Sequence, residues 1–230
     1  MKVVGVDGCP GGWVAMSWDT VRRTMSPFVY PSFNTLLAAN EDAAAIAVDI
    51  PIGLIEGSRQ CDLAARQVLG RRRSSVFPAP DPRILHAKTY AEASALAVEH
   101  TSKGVSQQAF AIFQKIREVN EVMTPELQNR VVECHPEVSF WAAAGKTPME
   151  FPKKTAEGFA ERRALLQMLT GSDIPDRKPA GQIAKPAGAD DVLDATIAAW
   201  TARRVAESRA GRLPETPETD SHGLRVEIVY

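Results

Sequence analysis

Three carboxylates stand at the ends of three apolar runs that are predicted to be strands. Asp7 ends "VVGV", Asp49 ends "AAIAV", and Glu133 ends "RVV". A charged residue is unexpected at the end of a strand whose apolar residues would be buried, because burying an unpaired carboxylate costs free energy. A single Asp-Gly pair, such as Asp7-Gly8, is explained by turn formation alone. Three acids in equivalent positions indicate a functional site.

Further carboxylates lie at the start of the last long predicted helix, 190–210, in "DDVLDATIAAW". Asp191 and Asp194 are three residues apart and therefore share one helix face. Asp190 is explained as the N-cap of this helix, and the helix dipole also accounts for Asp191. Asp194 lies inside the helix among apolar residues, where aspartate is unfavourable unless an interaction stabilises its charge.

Carboxylates that converge on one site repel one another and raise each other's pKa unless a cation neutralises them. Oxygen ligands suit hard cations, so Mg²⁺ or Mn²⁺ is the expected partner. Two such ions about 3.5–4 Å apart are a recurring arrangement for phosphodiester hydrolysis. The predicted catalytic and metal-binding residues are Asp7, Asp49, Glu133, Asp191 and Asp194.

A basic segment, "LGRRRSSVF" (69–77), carries the residue types that bind phosphate. Arginines and hydroxyls can hold phosphates in a fixed orientation. A solvated charge cluster at a helix end is the alternative. The predicted phosphate-binding residues are Arg71, Arg72, Arg73, Ser74 and Ser75. A separate candidate is His135, which is suited either to proton transfer to a leaving group or to a simple hydrogen bond with the backbone.

The composition, 230 residues with 44% hydrophobic and 24% charged, predicts a globular protein of one large or two small domains. The formal net charge of −1 argues against a protein that coats long nucleic acid with a broad basic surface. No apolar run approaches the ~20 residues of a membrane span, and no secretory leader is expected. Cys9, Cys61 and Cys134 match neither a disulfide framework nor a zinc motif. We expect a cytoplasmic protein without a membrane partner.

The predicted elements begin with an antiparallel group of strands and continue with strands that alternate with helices. This order predicts an α/β fold with a mixed sheet, whose site lies at the carboxyl ends of the strands. The predicted strands are 2–7, 12–18, 26–30, 44–50, 130–134 and the closing "LRVEIVY", and the predicted helices include 31–42, 155–170 and 190–210. Ser32 is a candidate N-cap, 173–189 is a predicted loop, and "LPETPETD" is a predicted flexible connection. The four scattered tryptophans and the cysteines Cys61 and Cys134 are expected in the core.

This order of elements resembles the ribonuclease H-like superfamily, and the acidic motifs resemble those of Holliday-junction resolvases, whose last helix also carries Asp-x-x-Asp-Ala. More narrowly, five motifs resemble the domain of unknown function 429 family: "GVDGCPGGWV", "DIPIGL", "CDLAARQVLGRRRSSVFPAP", "ECHPEVSF" and "DDVLDA". Members of that family are described as predicted ribonuclease H-like nucleases. The resemblance spans nearly the whole chain.

The resemblance implies a single ribonuclease H-like domain over 1–230, with a helical insertion at about 56–125. It implies a divalent-metal-dependent nuclease that uses Mg²⁺ or Mn²⁺ on a nucleic acid of undetermined type. By position, Asp7 matches the first-strand aspartate, Asp49 the second acid, and Asp191 with Asp194 the helix pair, while Glu133 matches more loosely. The alternatives are an actin-like nucleotide-binding phosphotransferase relative and a non-catalytic module that binds metal and nucleic acid. Homo-oligomer formation is left open.

Overall fold

The computed structural model describes all residues from Met1 to Tyr230 and shows an α/β fold. Its main sheet has five strands in the order β3-β2-β1-β4-β5. These strands are β1 (Lys2–Cys9), β2 (Gly12–Asp19), β3 (Thr24–Tyr30), β4 (Ala45–Val48) and β5 (Val131–Glu133). The first three pair antiparallel and the last two add in parallel. The predicted fold class, a ribonuclease H-like mixed sheet flanked by helices, is confirmed.

Nine α-helices accompany the sheet. They are α1 (Phe33–Ala39), α2 (Gln60–Leu69), α3 (Tyr90–Thr101), α4 (Gln107–Ala111), α5 (Phe113–Asn120), α6 (Pro136–Ala143), α7 (Ala156–Thr170), α8 (Arg177–Ile183) and α9 (Ala189–Ala206). Helices α2 to α5 lie between β4 and β5, in the stretch predicted as a helical insertion. Ser32 caps α1 as predicted, since its hydroxyl accepts a hydrogen bond from the amide of Thr35. None of the helices is long and apolar enough to cross a membrane.

The register of the parallel strands brings three strand ends to one edge of the sheet. Val6 of β1 pairs with Val48 of β4, and Val48 pairs with Glu133 of β5. The residues that follow these positions therefore emerge together at the carboxyl ends of the strands. This is the edge at which open α/β sheets hold their sites.

The core lies on both faces of the sheet, because successive side chains of a strand point to opposite faces. On one face Val3 packs with the residues of α9, and on the other Val4 and Val6 pack with residues of α1 and α5. All four tryptophans are buried, as predicted: Trp13, Trp18, Trp141 and Trp200. Cys61 and Cys134 are likewise buried and free, as predicted.

Helix α9 lies unusually close to β1 at Gly5. A Cβ atom at this glycine would stand 2.0 Å from both the carbonyl oxygen of Ala195 and the amide nitrogen of Ala199. Contacts this short with backbone cannot be relieved by rotating a side chain. Small residues on both partners therefore set the distance between α9 and the strand that carries Asp7.

We expect Gly5→Ala to destabilise the protein by about 1–3 kcal/mol, the usual cost of overpacking a core. The added methyl group must push α9 away from β1, so the cation binding that the sequence predicts for the acids on these two elements should weaken as well. Urea denaturation and Mn²⁺ titration measure the two effects. Gly181→Ala in α8 is the matched control, because its Cβ would meet nothing closer than 3.7 Å. Equal stability of the two variants would contradict the close approach.

Three predictions about local structure are wrong. The predicted loop 173–189 contains α8, and the N-cap of α9 is Gly188 rather than Asp190. The Asp191 carboxylate closes this helix end by accepting the Gly188 amide at 2.8 Å. Finally, the predicted flexible connection "LPETPETD" belongs to β6 (Arg212–Thr219), which pairs antiparallel with β7 (Arg225–Val229).

Proline content explains why β6 resembles a loop in the sequence. Proline cannot donate to a strand ladder and is confined to edges and irregular positions. The pairing of β6 with β7 shifts register between Leu213 and Glu218, and both prolines of the strand, Pro214 and Pro217, fall inside this shift. The hydrogen bonds to the buried strand β7 hold β6 in the sheet, and the proline pattern alone does not predict this pairing.

Candidate functional site

Three carboxylates from three separate elements meet at the carboxyl edge of the sheet. Asp7 lies near the end of β1, Asp49 directly follows β4, and Asp194 lies in the second turn of α9. One oxygen of each lies within 4.8 Å of the others. Asp7 is 9% exposed and Asp194 is 2% exposed, whereas Asp49 is half-buried. We call these three residues the carboxylate cluster.

The carboxylate cluster carries negative charge that the protein compensates only in part. Burial raises the pKa of Asp7 well above its usual value, and the charges of Asp49, Asp194 and Asp191 raise it further. Burial also raises the pKa of Asp49 to about 6, with a contribution from Asp194. Ionised carboxylates packed this closely are stabilised by a cation. The oxygen donors fit a hard divalent ion such as Mg²⁺ or Mn²⁺.

Lys153 is the cation nearest to the cluster. Its Nζ lies 2.6 Å from Asp194 Oδ2, and its side chain is 43% exposed. Burial disfavours the ammonium charge, but Asp194 raises the pKa of Lys153 above its usual value, and Asp49 and Asp7 act in the same direction. Sequence reasoning missed this residue. It lies in "KTPMEFPKK", between two helices, where no motif marks a functional lysine.

Asp191 lies beside the carboxylate cluster without joining it. Its Oδ2 accepts the amide of Gly188, which ties one oxygen to the N-terminus of α9. Burial raises the pKa of Asp191, and Asp194 adds to this effect. The charge of Asp191 in turn contributes to the raised pKa of Asp7. Asp191 therefore shapes the electrostatic field of the site from a capping position.

The structure does not bring Glu133 into the carboxylate cluster. Its Oε1 accepts Arg59 Nη2 at 2.5 Å, and its Oε2 accepts the amide of Ile52 at 2.6 Å. Oε1 is thus used in a buried ion pair and Oε2 in a hydrogen bond to the backbone. The Arg59 side chain is 1% exposed and needs a counter-charge, because an unpaired buried charge is strongly unfavourable.

A second group of possible ligands surrounds the same arginine. Cys61, Asp62 and Glu133 lie close enough to share an ion. The Arg59 Nη2 atom already lies 2.8 Å from Cys61 Sγ and 3.5 Å from Asp62 Oδ1. Burial disfavours the guanidinium charge, yet Glu133 and Asp62 raise the pKa of Arg59. The guanidinium is therefore the cation of this group, which we call the Arg59 group.

The carboxylate cluster opens into a cleft of about 520 Å³. Helical residues from the segment between β4 and β5 form one wall, and the strand ends form the floor. Lining residues that bear on the chemistry are Asp7, Asp49, Ser75, Lys115, His135 and Lys153. The ring of His135 places Nε2 3.3 Å from the carbonyl oxygen of Ser75, and its buried Nδ1 has no partner. The backbone bond considered for His135 is thus present, and one ring nitrogen remains free.

The arginine run forms a 3₁₀-helix, Gly70–Ser75, at the side of the cleft. Arg72 donates from Nε to the carbonyl of Met149 at 3.0 Å and from Nη2 to that of Glu150. Ser75 lines the cleft. Arg71, Arg73 and Ser74 are exposed. Arg72 therefore anchors the segment that leads to Lys153, and phosphate binding by this run stays a prediction.

The raised pKa of Asp49 predicts that the cation-free protein loses stability as the pH rises. A carboxyl group with a higher pKa in the folded state favours folding fully below its usual pKa of 3.8, and this contribution is lost as the pH rises through about 6. We expect the contribution to be on the order of 2 kcal/mol. Urea denaturation in EDTA at pH 4 and pH 7, compared with Asp49→Asn, measures it. An identical pH dependence in both proteins would contradict the prediction.

Comparison with known proteins gives one match. A family model described as "Protein of unknown function (DUF429)" matches residues 5–219. No curated protein and no solved structure matches the chain. The matched segment includes Asp7, Asp49, Lys153 and Asp194, so the whole carboxylate cluster lies within it.

Proposed function

The chain belongs to the DUF429 family, and from its carboxylate cluster we propose that it is a divalent-metal-dependent nuclease that hydrolyses phosphodiester bonds. The observation that supports this function best is the convergence of Asp7, Asp49 and Asp194, whose oxygens lie within 4.8 Å of one another. They come from two adjacent parallel strands and one helix, at the edge of the sheet where sites collect. We propose these three residues as the catalytic metal ligands.

The donor set supports Mg²⁺ or Mn²⁺ as the cofactor. A bound ion of this kind polarises a phosphoryl oxygen and lowers the pKa of a coordinated water. Asp7 and Asp49 must lose their protons to act as ligands, so ligand binding and deprotonation are coupled. The burial of Asp7 and Asp194 excludes competing water from one side of the cluster. Asp191 holds the N-terminus of α9 and thereby fixes Asp194 on its neighbouring turn.

Other groups in the cleft have suitable chemistry for a phosphodiester. Lys115, Lys153 and Lys154 place positive charge along its lining, which suits a polyanionic substrate in a protein whose net charge is −1. His135 lines the cleft and is a candidate to protonate the leaving oxygen. We propose a nucleic acid as the substrate and the cytoplasm as the compartment. A non-catalytic metal- and nucleic-acid-binding module is the second candidate, because the same cluster could bind a cation without turnover.

The test combines cation binding with hydrolysis. Fluorescent DNA and RNA oligonucleotides, as single strands, duplexes and branched junctions, are incubated with the protein in Mn²⁺, Mg²⁺ or EDTA. We expect cleavage that requires the cation and is absent in Asp7→Asn. Cation binding without cleavage of any substrate would favour the binding module. A melting temperature that does not change in millimolar Mn²⁺ or Mg²⁺ would contradict the proposed metal site itself.

A further inference from the structure

The Lys153 ammonium occupies one side of the carboxylate cluster, and this contact bears on how many cations the site takes. Its Nζ lies 2.6 Å from Asp194 Oδ2. We propose that the cluster binds one divalent cation rather than a pair, and that Lys153 supplies the positive charge that a second cation would bring. The inference deepens the proposed nuclease function and rests on it.

The position of Lys153 is set by the surrounding fold. Arg72 Nε donates to the carbonyl of Met149 at 3.0 Å, and the Glu161 carboxylate accepts the amides of Glu150 and Phe151 at 2.7 and 3.1 Å. These bonds fix the segment just before Lys153. Lys153 therefore reaches Asp194 from an anchored backbone segment rather than from a freely moving surface loop.

The charges of the cluster balance with one divalent cation. When ionised, Asp7, Asp49 and Asp194 carry three negative charges, and a divalent ion with one ammonium carries three positive charges. Asp191 is not counted in this balance, because it lies outside the cluster and its Oδ2 is bonded at the positive end of the α9 dipole, although its charge reaches Asp7. A second divalent ion beside the ammonium would meet like charge at short range, which is unfavourable.

The ammonium is also placed to act on a substrate. Lys153 lines the same cleft as Asp7 and Asp49, and its partial exposure leaves it accessible from that cleft. Hydrolysis joins a water oxygen to phosphorus, breaks the P–O bond to the leaving oxygen, and moves a water proton to that oxygen. A fixed positive charge at this position stabilises the negative charge that develops as the P–O bond breaks.

Calorimetric titration with Mn²⁺ of the wild type, Lys153→Gln and Lys154→Gln tests the inference. We expect one ion on the wild type and two on Lys153→Gln, whose hydrolysis should fall by about a hundredfold, as for loss of one preorganised charge-stabilising group. Lys154→Gln is the matched control for the number of bound ions, because Lys154 lines the same cleft, whereas the lysine that forms an ion pair with the cluster is Lys153. It should bind one ion. Melting curves in EDTA check that both variants fold, which the exposure of Lys153 leads us to expect.

Two ions on the wild type would overturn the role of Lys153 and leave the nuclease function standing. One ion on all three proteins with equal affinity would also overturn it, because the lysine would then exclude no cation. No Mn²⁺ on any of the three proteins would overturn both the inference and the function on which it rests.

Discussion

Asp7→Asn is expected to lower phosphodiester hydrolysis by about a thousandfold or more while making the cation-free protein more stable. The substitution keeps the size of the side chain and an oxygen that can accept the Gly8 amide, which bonds to Asp7 Oδ1 at 2.6 Å. It removes one of the three carboxylates proposed to bind the cation. Metal stabilisation of the transition state is worth several kcal/mol, and each ~1.4 kcal/mol is a factor of ten in rate.

The opposite effect on stability follows from the raised pKa of Asp7. Burial and the neighbouring Asp49 and Asp194 make its ionised form unfavourable in the folded protein. The neutral amide removes this repulsion, so the variant should melt at a higher temperature than the wild type in EDTA. With Mn²⁺ the wild type should gain stability that the variant does not gain.

Asp191→Asn is the matched control for Asp7→Asn, because Asp191 lies beside the cluster but uses one oxygen as a helix cap. We expect a clearly smaller loss of activity, since the amide oxygen can still accept the Gly188 amide. Hydrolysis rates and two melting curves for each protein complete the comparison. Wild-type activity and Mn²⁺ binding in Asp7→Asn would contradict the proposed site.

Glu133→Ala is expected to destabilise the protein by about 3–5 kcal/mol, the usual cost of removing one partner from a buried ion pair. The variant leaves Arg59 charged and buried, because an arginine does not lose its proton in proteins. It also leaves the amide of Ile52 without its acceptor. Urea denaturation at neutral pH measures the lost stability. Mn²⁺ titration, at urea concentrations below the unfolding transition, measures the affinity of the carboxylate cluster for the cation.

The double variant Arg59→Met with Glu133→Leu separates the ion pair from a catalytic role for Glu133. Replacing both charges with apolar side chains of similar size is often close to neutral. The double variant should therefore recover most of the lost stability and bind Mn²⁺ as the wild type does. Unchanged stability in Glu133→Ala, together with loss of Mn²⁺ binding, would return Glu133 to the metal ligands as the sequence predicts.

The sequence by itself predicts the fold class and the core of the candidate site. Strand ends are visible as apolar runs, and parallel strands of one sheet must end at a common edge, so Asp7 and Asp49 are predicted together. Asp194 is predicted because aspartate is unfavourable within an apolar helix unless its charge is stabilised. These inferences need only the local pattern of residue types and a general rule of sheet geometry, so the sequence alone is sufficient for them.

The tertiary structure decides which charges meet. Glu133 has the same local pattern as Asp7 and Asp49, yet it pairs with Val48, so its side chain points to the opposite face of the sheet from Asp49. There it meets Arg59, 74 residues earlier in the chain. Lys153 has no motif at all, yet it contacts Asp194, 41 residues later. Charge interactions depend on distance and burial in the folded chain, which no spacing along the sequence specifies. The sequence therefore determines where carboxylates emerge, and only the packing determines which of them remain available for a cation.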